Sequence, residues 1–232
     1  MARIKQKKSL KPRHKMVETR IKDLQLIEQR RRQIAEGAIK LFVAKGYHKA
    51  TVREIVEASG LTMGSMYNYV RTKEDIIFLV YDYVTRALRD DLMIAISSVD
   101  DPKNQLKAAL KHNLEAVNRH SDVIMFLYQA SGSLDRESLH DVLARETEYI
   151  EIFEDLVRKS LAGRQVSEFK LKLAADILSY LGVIVTLRRW SLKRRFESMD
   201  EVLDGILDFM LRGLEFLTDE GVQRPSLTAR EE

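Results

Sequence analysis

Signals that start an α-helix recur along this chain, and each is followed by apolar residues at three- and four-residue spacing. Thr51–Glu54 and Ser198–Glu201 have the pattern of a capping box, in which the first and last side chains each bond the other residue's backbone. Only 3 Pro and 10 Gly occur among the 232 residues, too few for a loop-rich β protein. We therefore predict an all-α protein with several long helices.

The residues that most enzyme and metal sites need are missing or scattered. The absence of cysteine excludes disulfides, thiolate nucleophiles, iron–sulfur clusters and cysteine-based zinc sites. His112 and Glu115 have a spacing seen in metal sites, but no second such pair accompanies them. No nucleophile elbow, phosphate-binding loop or dinucleotide fingerprint occurs. We predict no metal, no cofactor and no enzymatic activity.

Hydropathy and the N-terminal residues favour a cytoplasmic protein. The longest apolar run, residues 177–187, has 11 residues and includes Ser179 and Thr186, whereas a transmembrane helix needs roughly 20. The N-terminus is basic but lacks the apolar core of a signal peptide. We expect no association with a membrane.

Positive charge is concentrated at the start of the chain. The first 32 residues contain twelve Lys and Arg against three Asp and Glu, whereas the whole chain has a net charge of only +4. A basic arm of this kind binds polyanions by releasing counterions from their phosphates, but it also serves as a solvated tail. Charge alone leaves both interpretations open.

Two short predicted helices between residues 51 and 70 are joined by a turn at Gly60 and preceded by an amphipathic helix over about 30–45. Gly60 suits the turn because glycine adopts positive φ without strain. The residues spaced to pack these helices together are Ile55, Leu61, Met66 and either Tyr69 or Val70. This arrangement predicts a helix-turn-helix motif, an element that enters the DNA major groove.

The second short helix has an outward face of small and hydroxyl-bearing residues, namely Thr62, Ser65, Tyr67 and Asn68. Such side chains suit close approach to a major groove. Gly64 has no side chain, so the helix start can lie close to a duplex. Lys73 and the backbone N–H groups beside it are predicted to meet a phosphate.

Residues 30–80 closely resemble the DNA-binding domain of the tetracycline-repressor (TetR) family. The matching features are A-x-x-L-F-x-x-x-G-Y ending at Tyr47, T-V-R-E-I from Thr51, G-L-T-x-G-S-x-Y-x-Y from Gly60, and the start of the next helix at Lys73–Asp75. The sequence departs from the family pattern at Val56 and Ser59, where alanine is common. The bulkier Val56 is expected to change the angle between two helices slightly.

The resemblance implies an all-α homodimer with an N-terminal three-helix helix-turn-helix domain and a C-terminal helical domain for ligand binding and dimerisation. We place a basic extension at residues 1–29, the DNA-binding domain at 30–75, the C-terminal domain at 76–220 and a tail at 221–232. The implied function is that of a ligand-responsive transcriptional regulator, most simply a repressor. Its partner would be a palindromic operator in double-stranded DNA.

The resemblance also implies residue roles at this interface. Positions that match the family's phosphate contacts are Thr51, Tyr67 and Lys73, and those that match its groove-facing residues are Thr62, Ser65 and Asn68. We add Arg53, Gly64 and Tyr69 to the predicted DNA-binding residues. Alternative interpretations remain for five of these residues: Thr51 and Thr62 as helix N-caps, Arg53 as a solvated charge, and Tyr67 and Tyr69 as half-buried core rings.

The predicted helices over about 168–195 and 198–217 are the most apolar in the chain. Residues 177–187 are apolar nearly all round and therefore need cover on two sides. The resemblance implies that a partner subunit covers one side in a four-helix interface; the alternative is a core helix in a monomer. Three glycines are predicted to allow close helix contact, namely Gly182, Gly205 and Gly213.

The predicted ligand site draws on side chains from the middle and late helices. Candidate lining residues are Phe126, Tyr128, Tyr149, Phe153, Tyr180 and Trp190, and candidate polar groups are His112, Asn113 and Gln129. Ordinary core packing is the alternative for each lining residue. The resemblance implies a small apolar effector, with fatty acyl-CoA among the candidates. The arginines within residues 188–195 suit its phosphates or the C-terminus of a helix.

A second function fits the same apolar C-terminal half. In this hypothesis the chain binds lipids or acyl groups, and its N-terminal hairpin does not act on DNA. Deleting residues 1–75 would then leave the activity intact, which distinguishes the two functions.

Overall fold

The computed structural model describes Val17 and residues 21–217, and these residues are overwhelmingly helical. The α-helices are α1 (Leu24–Lys45), α2 (Val52–Ala58), α3 (Met63–Met66), α4 (Lys73–Ser97), α5 (Pro102–Arg119), α6 (Ser121–Ala130), α7 (Arg136–Ser160), α8 (Glu168–Leu181), α9 (Ile184–Leu187), α10 (Arg189–Arg195) and α11 (Met199–Gly213). Short 3-10 turns lie at Ser131–Ser133 and Leu214–Leu217. No strand occurs in this described part, and the all-α prediction is confirmed.

The first helix begins earlier than the sequence predicts. The Asp23 carboxylate accepts the backbone N–H groups of Gln25 at 3.0 Å and Leu26 at 3.1 Å, and this N-cap starts α1 at Leu24. The predicted helix over 30–45 and the last part of the predicted extension are therefore one helix. The rest of that extension lies outside the described residues apart from Val17 and residues 21–23, as does the whole of the predicted tail.

The predicted helix over about 168–195 is divided into α8, α9 and α10. The first division falls at Gly182, where a Cβ atom would lie 3.3 Å from Leu114 Cδ2 and 3.7 Å from Asn113 Nδ2 of α5. Close helix contact at Gly182 is therefore confirmed. At Gly205 and Gly213 a Cβ would meet nothing within 4 Å, so the predicted contact at these two glycines is not made within the chain.

The chain forms two compact units that alternate along the sequence. The N-terminal unit contains the described residues up to Ala87 together with Met125–Glu148, and the C-terminal unit contains Leu88–Ile124 and the described residues from Tyr149 onwards. Helices α4, α6 and α7 each contribute residues to both units. The predicted boundary between residues 75 and 76 stays a prediction.

Each unit has an apolar core that follows the predicted helical spacing. The largest fully buried side chains of the N-terminal unit are Ile34, Phe42, Ile55, Met66, Ile76 and Ile77. In the C-terminal unit they are Leu92, Leu106, Leu110, Leu114, Phe153 and Met210. Within residues 21–217, none of the helices combines the length and apolar character that crossing a bilayer requires.

Candidate nucleic-acid interface

Helix α2 is held against α1 at a glycine. A Cβ atom on the buried Gly37 of α1 would lie 2.5 Å from Ser59 Oγ and 2.9 Å from Ser59 N. The Ser59 hydroxyl itself is buried and donates to the Ile55 carbonyl at 2.6 Å, which satisfies it. Gly37 therefore sets the approach of α1 to the end of α2, a role that the sequence analysis missed.

The capping box predicted at the start of α2 is present. Thr51 Oγ1 accepts the Glu54 N–H at 3.3 Å, and the Glu54 carboxylate accepts the Thr51 N–H at 2.9 Å and the Thr51 hydroxyl at 2.7 Å. Lys45 also donates to this carboxylate. Hydrogen bonds from Lys45 and Thr51 lower the pKa of Glu54 to about 2. The exposed Thr51 hydroxyl is thus already engaged as a cap, and Arg53 beyond it is exposed.

The turn between α2 and α3 has the predicted form. Gly60 adopts a φ of +65°, and the Leu61 N–H donates back to the Val56 carbonyl at 3.1 Å. Thr62 Oγ1 then accepts the Ser65 N–H at 3.2 Å and caps α3. The alternative interpretation of Thr62 as an N-cap is therefore confirmed.

Helix α3 presents a polar face on one side and buries the other. Met66, Tyr69 and Val70 are buried, whereas Thr62, Gly64, Tyr67 and Asn68 are exposed and Ser65 is half-buried. The α-helical segment ends at Met66, and turns carry the chain through Asn68 and Tyr69. The predicted outward face is thus presented by a helix shorter than expected.

Tyr69 is the one predicted DNA-binding residue whose side chain lies in the core. Its side chain is only 3% exposed, because it follows Met66 on the inner side of the motif. The interpretation of Tyr69 as a core ring therefore replaces its assignment to the DNA-binding face.

At the start of α4, backbone N–H groups that were predicted to meet a phosphate are already hydrogen-bonded within the chain. The Asp75 carboxylate accepts the N–H groups of Arg71 at 2.8 Å and Thr72 at 3.1 Å, and Thr72 Oγ1 accepts the Asp75 N–H at 3.1 Å. These backbone donors are therefore satisfied within the chain. The Lys73 side chain remains beside them, with its ammonium 4.2 Å from the centre of the Tyr47 ring.

The predicted ligand-lining residues separate into three environments. Phe126 stacks on Phe42 in the N-terminal unit, with ring centroids 4.9 Å apart, so it belongs to the packing beneath the helix-turn-helix. This stacking agrees with the alternative interpretation of Phe126 as ordinary core packing. The exposed members of the predicted set are Tyr128, Gln129, Tyr180 and Trp190.

Three of the remaining members, Asn113, Tyr149 and Phe153, come together in the C-terminal unit. The Tyr149 hydroxyl donates to Asn113 Oδ1 at 3.0 Å, and Asn113 Nδ2 donates to the Ser179 carbonyl at 3.1 Å. Phe153 is fully buried, and the centroid of its ring lies 5.4 Å from that of the Tyr149 ring. His112 Nε2 is buried without a hydrogen-bond partner among the described residues. Burial raises the pKa of the Tyr149 hydroxyl, which keeps it a neutral donor.

A half-buried ion pair outside the predicted site joins two helices of the N-terminal unit. Asp82 of α4 pairs with Arg145 of α7 and also with Arg86 at 2.9 Å. Arg145 lies over the Phe78 ring at 5.7 Å. The spacing of Asp82 and Arg86 on one helix face was readable from sequence, but the contact with Arg145 was not.

A two-helix motif with a solvent-exposed polar face, in a chain whose described residues form helices and no strands, is typical of the class of helix-turn-helix transcriptional regulators.

Comparison with known proteins identifies the family within this class. The family models "Bacterial regulatory proteins, tetR family" and "Tetracyclin repressor-like, C-terminal domain" match residues 34–80 and 99–214. The chain belongs to the TetR family of transcriptional regulators. Its helix-turn-helix is that family's DNA-binding element, and the alternative in which the hairpin does not act on DNA is not supported.

Individual relatives are distant in sequence but similar in length. The regulator HbdR of Aromatoleum sp. (strain CIB) is 27% identical over 208 residues, which cover 88% of each chain. The repressor KstR2 of Rhodococcus jostii (strain RHA1) is 25% identical over 191 residues, 80% of this chain and 91% of KstR2. The crystal structure of AibR in complex with isovaleryl coenzyme A and operator DNA matches with a TM-score of 0.59 at 19% identity, over 78% of this chain and 97% of AibR.

Proposed function

We propose that this chain is a homodimeric, ligand-responsive repressor that binds a near-palindromic operator and is released by a small apolar effector. The observation that carries the proposal is the exposed face of Thr62, Gly64, Tyr67 and Asn68, opposite the buried Met66 and Tyr69. In a two-fold dimer, two such faces would enter successive major grooves roughly 34 Å apart. KstR2, among the relatives, is named a repressor.

Within this face, phosphate contacts and base contacts are assigned to different residues. Tyr67 is 55% exposed, and its hydroxyl is proposed to meet a phosphate, as is Thr51 at the start of α2. Thr62, Ser65 and Asn68 are proposed to face base edges, with Gly64 allowing the close approach. Arg53 and Lys73 add positive charge at the margin of the interface.

Replacing Tyr67 with alanine is expected to weaken binding to every duplex by about tenfold without changing the preferred sequence, because phosphate contacts carry no base information. Asn68→Ala is expected to relax the preference at particular base pairs, at a cost of about 1–3 kcal/mol each. Selection from random duplexes at low salt, followed by fluorescence anisotropy, measures both effects.

The matched control for Tyr67→Ala is Tyr128→Ala on α6, where the tyrosine is 56% exposed and lies outside the helix-turn-helix. This variant is expected to bind like the native protein. A native protein that selects no duplex even at low salt contradicts the proposed function itself.

The homodimer is supported by an apolar stripe on the C-terminal unit. Five large apolar side chains recur along one face of α8 and the start of α9, and all are exposed: Phe169, Leu173, Ile177, Tyr180 and Ile184. On α11, Phe209 is 68% exposed between Gly205 and Gly213, four residues away on either side. Glycines on such a face allow a second helix to approach closely. A second copy of the chain is the proposed cover.

The effector is proposed to be an acyl thioester of coenzyme A, recognised by polar groups in the core of the C-terminal unit. Asn113 and Tyr149 offer a hydrogen-bonded amide and hydroxyl beside the apolar Phe153 ring, a combination that suits an acyl carbonyl next to a chain. The isovaleryl coenzyme A bound to AibR supports the ligand class, although the two chains are only 19% identical.

We expect acyl-CoA thioesters, but not free coenzyme A, to raise the thermal unfolding midpoint, because a ligand that binds only the folded state stabilises it by mass action. Tyr149→Phe removes the hydroxyl that donates to Asn113 and is expected to reduce the rise. Tyr128→Phe, at an exposed position, is the control and is expected to behave like the native protein. A midpoint that no acyl chain length moves contradicts this ligand class.

Release would follow from a ligand-favoured state in which the two helix-turn-helix motifs are wrongly spaced for DNA. The effector must then bind that state better by about 1–3 kcal/mol or more. Helix α4 begins at Lys73 and continues without interruption from the N-terminal unit into residues of the C-terminal unit. It is therefore the proposed mechanical connection.

A further inference from the structure

Lys73 stands where helix electrostatics disfavour a cation. It is the first residue of α4, a helix of 25 residues, and the N-terminal end of a helix is its positive end. Glu74 and Asp75 follow in the same turn and suit that position, whereas a lysine does not. The positive charge of Lys73 therefore needs nearby groups that stabilise it.

Tyr47, in the loop between α1 and α2, stabilises this charge with its carbonyl and its ring. Lys73 Nζ donates to the Tyr47 carbonyl at 2.5 Å, lies 3.5 Å from the His48 carbonyl and is 4.2 Å from the centre of the Tyr47 ring. An ammonium over an aromatic face is attracted by the ring quadrupole. An ammonium has three N–H donors, and the two carbonyls take at most two of them.

The Tyr47 ring is held in place by a hydrogen bond from its hydroxyl and by a contact with another ring. Its hydroxyl donates to Glu74 Oε1 at 3.0 Å, and its edge meets the buried Phe42 ring at 5.7 Å. Gly46 caps α1 with a φ of +80°, which directs the chain from the end of α1 into this position. Burial and the Glu74 carboxylate raise the pKa of the Tyr47 hydroxyl to about 12, so it remains a donor to Glu74 at neutral pH.

We propose that Tyr47 is a positioning residue for DNA binding: its ring and carbonyl hold the Lys73 ammonium at the start of α4, where it meets a DNA phosphate. This inference rests on the proposed function, because it needs the helix-turn-helix to bind duplex DNA. Tyr47 itself contacts no DNA in this proposal and acts only through Lys73.

A double-mutant cycle tests the coupling. Lys73→Met is expected to weaken duplex binding about tenfold in the native background and to reduce the salt slope of log K by about 0.9, the contribution of one phosphate contact. In the Tyr47→Leu background, Lys73→Met is expected to change affinity less than about twofold. Tyr47→Phe keeps the ring, loses only the hydroxyl that donates to Glu74, and is expected to retain native affinity within about twofold. Lys49→Met, at an exposed lysine of the same loop, is the control and is expected to have the same effect in both backgrounds.

A second measurement does not depend on DNA or on the folding of a variant. In the NMR spectrum of the native protein, the Lys73 Hε resonances are expected upfield of those of other lysines, because they lie near the Tyr47 ring face. Random-coil shifts for Lys73, or an equal loss on Lys73→Met in both backgrounds, overturn the positioning role while DNA binding stands. A native protein that binds no duplex at low salt overturns both.

Discussion

Ile177→Asp is expected to separate the proposed dimer into subunits and raise its dissociation constant at least about a hundredfold. Ile177 is 49% exposed at the middle of the α8 stripe, between Leu173 and Ile184. If a second copy covers this stripe, the variant buries an aspartate with no partner from each subunit, which costs several kcal/mol. Operator affinity is expected to fall with it, because a lone subunit engages one half-site.

The subunit fold is expected to survive this substitution, since the side chain is not part of the core of its own chain. Leu143→Asp on α7 is the matched control: Leu143 is 50% exposed but belongs to the N-terminal unit and is not part of the stripe. Analytical ultracentrifugation is expected to give monomers for Ile177→Asp and dimers for Leu143→Asp. An Ile177→Asp variant that sediments as the native dimer excludes the stripe as the interface.

The start of α2 and the turn at Gly60 were predictable because their signals are local. The Thr51–Glu54 capping box and the Thr62 cap each involve partners three residues apart, and both appear as predicted. The start of α1 was placed too late because Asp23, its N-cap, stands in a charged segment that the prediction treated as a separate extension.

The features that sequence reasoning missed depend on residues distant in the chain. Nothing near Gly37 in the sequence indicates that Ser59 will lie against it, and nothing near Phe126 indicates that it will stack on Phe42. Tyr69 was ambiguous for a related reason, since a tyrosine suits both a half-buried core and a phosphate contact. Only its burial decided between the two.

The candidate ligand site was predicted least well, because aromatic residues on amphipathic helices indicate burial without indicating which core they enter. Asn113, Tyr149 and Phe153 come together through contacts between helices, whereas Tyr180 and Trp190 are exposed. Exposure of Tyr180 on the α8 stripe fits the proposed dimer interface better than a ligand pocket.

Gly37→Ala is expected to lower the free energy of unfolding by about 1–3 kcal/mol, because a well-packed contact does not accept an added methyl group. The new Cβ would lie 2.5 Å from Ser59 Oγ, 2.9 Å from Ser59 N and 3.1 Å from the Ala58 carbonyl carbon. Two of these atoms belong to the backbone, so α2 must shift. Adding Ser59→Ala removes only the hydroxyl and is expected to recover part of the loss.

Gly64→Ala is the matched substitution at the outer surface of the same motif, and the opposite result is expected. A Cβ at Gly64 meets nothing within 4 Å, so stability is expected to stay unchanged or to rise by up to about 1 kcal/mol. Duplex affinity is expected to fall at least about tenfold, because the methyl group would separate the start of α3 from the DNA. Urea unfolding and anisotropy titrations of both variants measure the contrast. If Gly64→Ala bound selected duplexes like the native protein, the start of α3 would not approach DNA closely, and the proposed orientation of the recognition face would be wrong.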